Sequence, residues 1–306
     1  MKTNSQAFGP TLAVFTKNRT NPAYEGARLG ADRVAARFGA RTVHYVPEKP
    51  DDVDEQIALI ERAIAERPDA AVFVPVHETA VNDWILKLNA AGIPLVSLIA
   101  PTTAGERVTF IGSDDYVLAA AIARRLAAEL NGQGSVLVLE GSAASSTSRP
   151  RSLGIALGLT DYPGIRTVAS VRGDYQRDVA RRAVAQLIAN RREFDAVIAA
   201  NDTMALGALD ALAACGRKQL PVVGVNAIPE AVEAIKRGRL LATADFDAMK
   251  MACIATEAAV RHLRGESVPP RIMLPVQIVD ASNCSHWDRP YASRELPSWS
   301  NITGSQ

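Results

Sequence analysis

Short apolar runs alternate with stretches of helical periodicity along most of this chain. The runs in the first third predict strands at residues 11–16, 41–45, 70–74, 95–98 and 108–111. After residues 113–115 the alternation starts again and predicts strands at 135–139, 166–171, 196–200, 222–225 and 240–244. These runs are continuously apolar, so each strand is expected to be covered on both faces, which is typical of parallel sheets between helices. A helix at 248–264 and short strands near 272–274 and 277–279 follow.

One part of this pattern occurs twice, at residues 69–88 and at residues 195–212. In each copy an apolar run leads into polar residues and then into a helical pattern. Each copy is also followed by a glycine, Gly92 or Gly216, and by a proline-led apolar run. A strand–helix–strand unit in each half of the chain predicts two similar α/β lobes.

Composition and charge narrow the possible functions. A chain of 306 residues can form two α/β domains, and a formal net charge of +1 without a basic run does not favour nucleic acid as a partner. No window has about eighteen uninterrupted apolar residues, so no transmembrane helix is predicted. Residues 1–6 lack the apolar core of a signal peptide, which leaves a cytoplasmic protein or a mature secreted form as alternatives. The 3 cysteines are widely spaced and argue against a disulfide framework.

Polar residues stand at the predicted carboxyl ends of the strands, where ligands bind in open α/β sheets. These ends are rich in amides and include an aromatic residue: 17–19, 76–77, 99–100, 141–142, 173–175, 201–202 and 226. Amides both donate and accept hydrogen bonds, and rings cover apolar C–H faces, so the set suits a hydroxyl-rich ligand. We expect Asn201 to face that ligand and Asp202 to cap the following helix.

Catalytic and metal-binding motifs are missing from the sequence. There is no nucleophile elbow, no HExxH, no paired-cysteine metal motif and no convincing general acid–base pair. The histidines other than His77 are scattered, without metal-ligand spacing. The prediction is a binding protein with no cofactor and no metal, and an enzyme acting on a sugar-like substrate is the minor alternative.

Several segments resemble a known family when they are taken together. They are NPAY at 21–24, GSDD at 112–115, RPRSLG at 149–154, NDTMALG at 201–207 and VGVN at 223–226. Over about residues 11–279 the chain resembles the type I periplasmic binding proteins, specifically the ribose-binding-like branch of sugar ABC importers. The effector domains of LacI-type repressors share that fold, so a cytoplasmic LacI-like effector or sensor domain is the alternative. No helix-turn-helix pattern precedes Thr11, which counts against it.

The resemblance implies two Rossmann-like parallel-sheet lobes joined by a three-strand hinge, with the ligand in the cleft between them. Residues 1–113 and 244–279 would form the N-terminal lobe, 114–243 the C-terminal lobe, and 280–306 a tail. The crossings would fall near Ser113, Thr243 and Val279. The resemblance further implies a monomeric substrate-binding protein that closes on its solute, meets a membrane permease, and works in the periplasm after removal of a signal peptide.

It also implies roles for individual residues. Asn21 resembles the family's first-loop amide, Tyr24 and Tyr175 its stacking aromatics, Arg151 its sugar-holding guanidinium, and Asn201 its strand-end amide. Asn226 stands where many members have aspartate. The predicted ligand-binding set is Lys17, Arg19, Asn21, Tyr24, His77, Arg151, Tyr175, Asn201, Asn226 and Phe246.

The departures from the family pattern concern the ligand. Ile99 and Ala100 replace an Asp-Arg clamp for hydroxyls, and residues 244–247 replace a segment in which glutamine is common. Lys17 stands where a small polar residue is usual. These changes make the site less anionic. The expected ligand is therefore a sugar, a polyol or a sugar acid, whose carboxylate Lys17, Arg19 and Arg151 would neutralise.

Overall fold

The computed structural model describes residues 9–217 and 219–304. They form two compact units: the first contains residues 9–112, 248–274 and 291–304, and the second contains the described residues of 113–247 and 275–290. The predicted class, α/β with two parallel-sheet lobes, is confirmed. Residues 1–6, which bear on a signal peptide, lie outside the described residues, as do residues 7, 8, 305 and 306 of the predicted N-terminal lobe and tail.

The elements follow one another in the predicted alternation. The strands are β1 (Thr11–Phe15), β2 (Arg41–Tyr45), β3 (Ala70–Phe73), β4 (Leu95–Leu98), β5 (Thr109–Gly112), β6 (Gln133–Glu140), β7 (Gly164–Arg172), β8 (Ala196–Ala199), β9 (Val222–Val225), β10 (Ala242–Asp245), β11 (Arg271–Met273) and β12 (Gln277–Asp280). The α-helices are α1 (Pro22–Arg37), α2 (Val53–Glu66), α3 (Asn82–Ala90), α4 (Asp115–Glu129), α5 (Ser148–Thr160), α6 (Arg177–Ala189), α7 (Asp202–Ala214), α8 (Pro229–Lys236), α9 (Ala248–Leu263) and α10 (Trp299–Thr303). Short 3₁₀ helices lie at Cys284–His286 and Tyr291–Ser293. Among the described residues, none of the helices has the length and apolar character needed to cross a membrane.

The first unit is built on a fully parallel sheet with the strand order β11-β5-β4-β3-β1-β2. Three buried rings form the centre of a core cluster on this sheet: Phe15 stacks on Tyr45 with centroids 4.7 Å apart and meets Phe73 at 4.9 Å. Ile60 of α2 and Leu88 of α3 belong to the same cluster. The apolar runs of the sequence thus become strands that helices cover, which is the arrangement that such runs predict.

The second unit has the strand order β12-β10-β9-β8-β6-β7, and β12 is its antiparallel strand. On this sheet α4 and α5 approach each other closely at two glycines of α5. A Cβ on Gly154 would lie 2.3 Å from the carbonyl oxygen of Tyr116, and one on Gly158 would lie 2.5 Å from that of Ala120. The side chain of glycine, a single hydrogen, is therefore what allows the two helices to pack this closely.

The borders of the units differ from the predicted ones. Residues 244–247 and 275–279 belong to the second unit, because β10 extends to Asp245 and β12 pairs with β10 along its length. The crossings predicted near Thr243 and Val279 therefore fall inside paired strands of one sheet, where Thr243 lies opposite Val279. The chain leaves the second unit after Asp247, beyond the end of β10, and returns to it after Leu274, before β12 begins.

The predicted tail is divided between the units. Residues 281–290 pack in the second unit and residues 291–304 in the first. The second part is tied down by Arg33, whose Nη1 donates to the carbonyl oxygens of Tyr291 at 3.1 Å and Arg294 at 2.7 Å. In the described part of the chain, the passages from unit to unit number four instead of three and follow Gly112, Asp247, Leu274 and Pro290.

Candidate functional site

The loop after β1 carries a buried polar cluster at the carboxyl edge of the first sheet. Lys17 is 3% exposed and Asn18 is 6% exposed. Asn18 Nδ2 donates to Asp51 Oδ1 at 2.9 Å, and Asn18 Oδ1 accepts from the backbone N–H of Asn21 at 2.9 Å. Burial raises the pKa of Asp51, and the charge of Lys17 acts in the opposite direction. The positive charge of Lys17 is thus partly balanced within its own unit.

Asn21 and Tyr24 stand at the start of α1, beside this cluster. Asn21 is the N-cap of the helix, and its Oδ1 accepts from the N–H of Ala23 at 3.0 Å. This bond uses the amide oxygen of Asn21, and the Nδ2 group can donate to another partner. Both Asn21 and Tyr24 are partly exposed. The structure therefore brings Lys17, Asn21 and Tyr24 to one loop–helix junction, as the motif match implies.

Arg19 and His77 have local partners. The Arg19 side chain is 56% exposed, and its Nε lies 3.9 Å from Glu48 Oε1, a type of surface pair that contributes about 0–1 kcal/mol. His77 Nδ1 accepts from the N–H groups of Thr79 at 3.1 Å and Ala80 at 3.2 Å. Through these two bonds the His77 side chain closes the turn after β3. These contacts give both residues structural roles, and their ligand roles stay predictions.

The turn after β4, where the side chains depart from the family pattern, has a strained backbone. Ile99 is buried and has a φ of +64°, while its N–H donates to the carbonyl oxygen of Ile111 at 2.8 Å. A left-handed conformation costs a β-branched residue about 1–3 kcal/mol, and such strain is concentrated at functional sites. The first sheet therefore presents an apolar, strained turn where the resemblance implies a hydroxyl clamp.

Arg151 is the centre of the carboxyl edge of the second sheet. It lies in the first turn of α5 and is 4% exposed. Its Nε donates to Asp115 Oδ1 at 2.7 Å and its Nη1 donates to the carbonyl oxygen of Ala200 at 2.7 Å. The guanidinium carbon lies 5.8 Å from the ring centre of Tyr175 and 5.5 Å from that of Phe246, within the range of cation–π attraction. The cation at the start of α5 is thus stabilised by an acid and two rings.

Tyr175 is held by its backbone and by its hydroxyl. It has a φ of +61° after Asp174 at +51°, a pair of left-handed residues that turns the chain sharply after β7. Its hydroxyl lies 2.8 Å from Thr147 Oγ1. The ring covers Gly141, where a Cβ would lie 2.2 Å from a ring carbon. The polar tip of Tyr175 is therefore occupied, and its ring is oriented beside Arg151.

The structure makes Asn201, and not Asp202, the N-cap of α7. Asn201 is the N-cap of α7: its Oδ1 accepts from the N–H of Met204 at 2.9 Å. Asp202 is fully buried; its Oδ1 accepts from Thr243 Oγ1 at 2.6 Å and its Oδ2 from the N–H of Ile228 at 3.0 Å. Burial raises the pKa of Asp202 to about 6. Asp202 therefore anchors the loops beneath the edge, and the residue expected to face the ligand is the one that caps the helix.

Asn226 has a strained backbone and an unsatisfied side chain. It follows β9 with a φ of +121°, and it is 7% exposed. Its Oδ1 is buried and has no hydrogen-bond partner among the described residues. A buried acceptor without a donor costs about 1–3 kcal/mol, which a hydroxyl of a bound solute would remove.

Three residues of this edge were not found from the sequence: Asp115, Thr147 and Asp245. Asp115 had a detectable signal, since a cation in the first turn of α5 is disfavoured by the helix dipole and requires an acid nearby. Thr147 and Asp245 had none, because their partners Tyr175 and Trp287 are distant in the chain. Among the described residues, no group of three or more His, Cys, Asp or Glu side chains is arranged to hold a metal ion.

The chain is similar to known proteins along most of its length. The family model of the periplasmic binding protein domain matches residues 12–267. Ribose import binding protein RbsB of Escherichia coli is 28% identical over 270 residues, which cover 88% of this chain and 90% of that protein.

Solved structures agree with this match. An ABC transporter periplasmic solute binding protein from Actinobacillus succinogenes, with bound D-allose, has a TM-score of 0.85 and 26% identity over 90% of this chain and 99% of that chain. An ABC transporter solute binding protein from Bacillus halodurans, with bound myo-inositol, has a TM-score of 0.83 and 26% identity over 91% of this chain and 97% of that chain. All of these are binding proteins, which favours the transport interpretation over a regulatory effector domain.

Proposed function

The chain belongs to the periplasmic binding protein family, and from that premise we propose that it is the substrate-binding protein of an ABC transporter for a small hydroxylated solute. The observation that carries the proposal is the edge of the second sheet, where Arg151 lies beside the rings of Tyr175 and Phe246. Asn201 and Asn226 add amides at the ends of the neighbouring strands β8 and β9. Rings for C–H faces and amides for hydroxyls are the groups that a sugar or polyol requires.

The charges of these residues favour a neutral solute. Arg151 is paired with Asp115 at 2.7 Å, and Lys17 lies beside Asp51. A cation that already has an anionic neighbour gains less from a ligand carboxylate than an isolated cation does. We therefore place neutral sugars and polyols ahead of sugar acids.

Binding would act through a shift of population. The proposed solute contacts are Lys17, Asn21 and Tyr24 in the first unit and Arg151, Tyr175, Asn201 and Asn226 in the second. A solute that binds one conformation more tightly than the others raises the population of that conformation. The resemblance implies that this change of conformation is a hinge closure. The partner would be a membrane permease, and the protein would work as a monomer in the periplasm.

A thermal-shift screen followed by calorimetry tests this function. The panel contains D-ribose, D-allose, xylitol, myo-inositol and D-glucuronate, and a bound solute raises the melting temperature by mass action. Arg151→Ala or Asn201→Ala should weaken binding by about 1.5–3 kcal/mol, the contribution of a charged or buried hydrogen-bond partner. Arg237→Ala is the matched control, since the Arg237 side chain is 65% exposed and pairs with Glu233.

Three results would each contradict a part of the proposal. If the folded protein is stabilised by none of the panel, the function as a receptor for this class of solute is wrong. If only D-glucuronate stabilises it, the preference for a neutral solute is wrong. Unchanged affinity in both the Arg151 and the Asn201 variant would overturn the site assignment.

A further inference from the structure

The segment after β12 returns the chain to the carboxyl edge of the second sheet. β12 runs antiparallel to β10, with Gln277 opposite Asp245 and Asp280 opposite Ala242. The strand therefore leads away from the carboxyl edge. Within the following 7 residues the chain comes back, because the indole Nε1 of Trp287 donates to Asp245 Oδ2 at 2.6 Å.

Anchors on either side hold Trp287 in place. Before it, Asn283 Nδ2 donates to the carbonyl oxygen of Ile278 at 2.8 Å, and Cys284 is buried. After it, Asp288 Oδ2 lies 2.7 Å from Lys236 Nζ of α8. The indole is thus placed by the fold of the second unit and is not a mobile end of the chain.

Asp245 is oriented by donors on both of its oxygens. Trp287 bonds to Oδ2, and the backbone N–H of Asp247 donates to Oδ1 at 2.7 Å. Asp245 is 6% exposed. Hydrogen bonds to an ionised carboxylate are stronger than neutral ones, and one on each oxygen restrains the rotation of the carboxylate plane.

The position of Asp245 is that of a residue of the candidate site. It ends β10, which is parallel to its neighbour β9. Asn226, just after β9, donates its N–H to the carbonyl oxygen of Ala244 at 2.8 Å. Phe246, the next residue, faces Arg151. The Asp245 carboxylate therefore lies at the same edge of the second sheet as the residues that carry the proposed function.

We propose that Trp287, from the C-terminal region beyond the predicted lobes, is a positioning residue that orients the Asp245 carboxylate to accept hydrogen bonds from hydroxyl groups of the solute. The inference rests on the proposed function, because it requires a solute at this edge. An oriented carboxylate accepts from neighbouring hydroxyls of a sugar or polyol with little loss of side-chain entropy on binding. Without the indole N–H, the carboxylate loses one of these restraints, and the solute has to supply more of its orientation.

A double-mutant cycle tests the proposal. Trp287→Phe removes the N–H donor and keeps an aromatic ring, Asp245→Asn removes the charge, and the third variant combines both. Trp84→Phe is the matched control, because Trp84 Nε1 donates to the carboxylate of Glu61 at 3.0 Å in the first unit. The probe is whichever of D-ribose, D-allose, xylitol and myo-inositol the wild type binds most tightly in calorimetry, and circular dichroism melts confirm that each variant is folded.

We expect Trp287→Phe to bind about tenfold more weakly than the wild type, which is the size of the loss of one hydrogen bond to a charged group. Trp84→Phe should stay within about twofold of the wild type. The double variant should bind no more weakly than Asp245→Asn alone, since Trp287 acts through Asp245. A purely structural tryptophan would instead multiply the two losses, and that result, or a Trp287→Phe affinity within twofold of the wild type, overturns the proposal.

A second measurement leaves Trp287 unchanged and follows its fluorescence. In a Trp84→Phe, Trp299→Phe protein, Trp287 is the remaining one of the chain's 3 tryptophans. Saturating probe should change its fluorescence, and Asp245→Asn in that background should abolish the change. A fluorescence change that survives Asp245→Asn, or no change at all, contradicts the inference while the calorimetric function stands. A wild type that binds none of the probes overturns the proposed function and this inference together.

Discussion

The buried carboxylate of Asp202 predicts a specific dependence of stability on pH. Asp202 is 0% exposed, and burial raises its pKa to about 6 from an ordinary 3.8. Because the pKa is higher in the folded than in the unfolded state, the folded state holds the proton more tightly. The contribution of this group to the free energy of unfolding is therefore fully present below about pH 4 and is lost as the pH rises through about 6.

The size of the effect follows from the two pKa values. At about 1.4 kcal/mol per pKa unit, a rise from 3.8 to about 6 corresponds to about 3 kcal/mol. About 2 kcal/mol of this is lost between pH 4.5 and pH 7. Asp202→Asn removes the titration, and its amide can still accept from the N–H of Ile228 while its Nδ2 donates to Thr243 Oγ1. Asparagine thus keeps bonds to both present partners of Asp202.

Urea unfolding of the wild type and of Asp202→Asn at both pH values measures this term. Other groups titrate in the same range, so a difference between the two proteins is compared. For each protein we take the change in the free energy of unfolding between pH 4.5 and pH 7, and we subtract the value of the variant from that of the wild type. We expect the wild type to lose about 2 kcal/mol more than the variant. A difference below about 0.5 kcal/mol would refute the reasoning, because it would mean that the Asp202 carboxylate is solvated in the folded state. Asp210→Asn, at a partly exposed acid of the same helix, is the control.

Three further predictions concern the second unit. Gly224→Ala would place a Cβ 2.2 Å from Asp202 Oδ1 and should lower the free energy of unfolding by roughly 1–3 kcal/mol; an unchanged urea midpoint would contradict it. Asn226→Gly should raise stability by about 1 kcal/mol, because glycine tolerates a φ of +121°, and should weaken solute binding in calorimetry; equal binding would remove Asn226 from the site. Tyr175→Phe deletes only the hydroxyl bonded to Thr147 and should change affinity less than about threefold, whereas Tyr175→Ala should weaken it about tenfold or more; equal losses in the two variants would show that the ring is not the binding group.

The order of the elements could be predicted from the sequence because strand and helix periods are local. The runs at 70–74 and 95–98 became β3 and β4 with nearly the predicted ends. The borders of the units could not be predicted in the same way. They depend on β12 pairing with β10, where Asp280 lies opposite Ala242, and no local pattern selects that partner.

The candidate site, too, could be predicted from the sequence only in part. The predicted ligand-binding set contained Arg151, Tyr175 and Phe246, and the structure places the two rings beside the guanidinium. That Asn201 and not Asp202 caps α7 could not be predicted, because both are good capping residues. Which of them caps depends on whether the other has a buried partner, and that partner is Thr243 on another strand.

By itself, the sequence determined the alternation of strands and helices, the two largely parallel sheets, and the polar residues at their carboxyl ends. These follow from local periodicity and from the fact that the ends of parallel strands meet at one edge of a sheet. Only the tertiary structure decided which charges are balanced, Arg151 by Asp115, and which acid is oriented, Asp245 by Trp287. The reason is physical: the strength of an ion pair or hydrogen bond depends on distance and burial, and both arise when distant segments of the chain pack together.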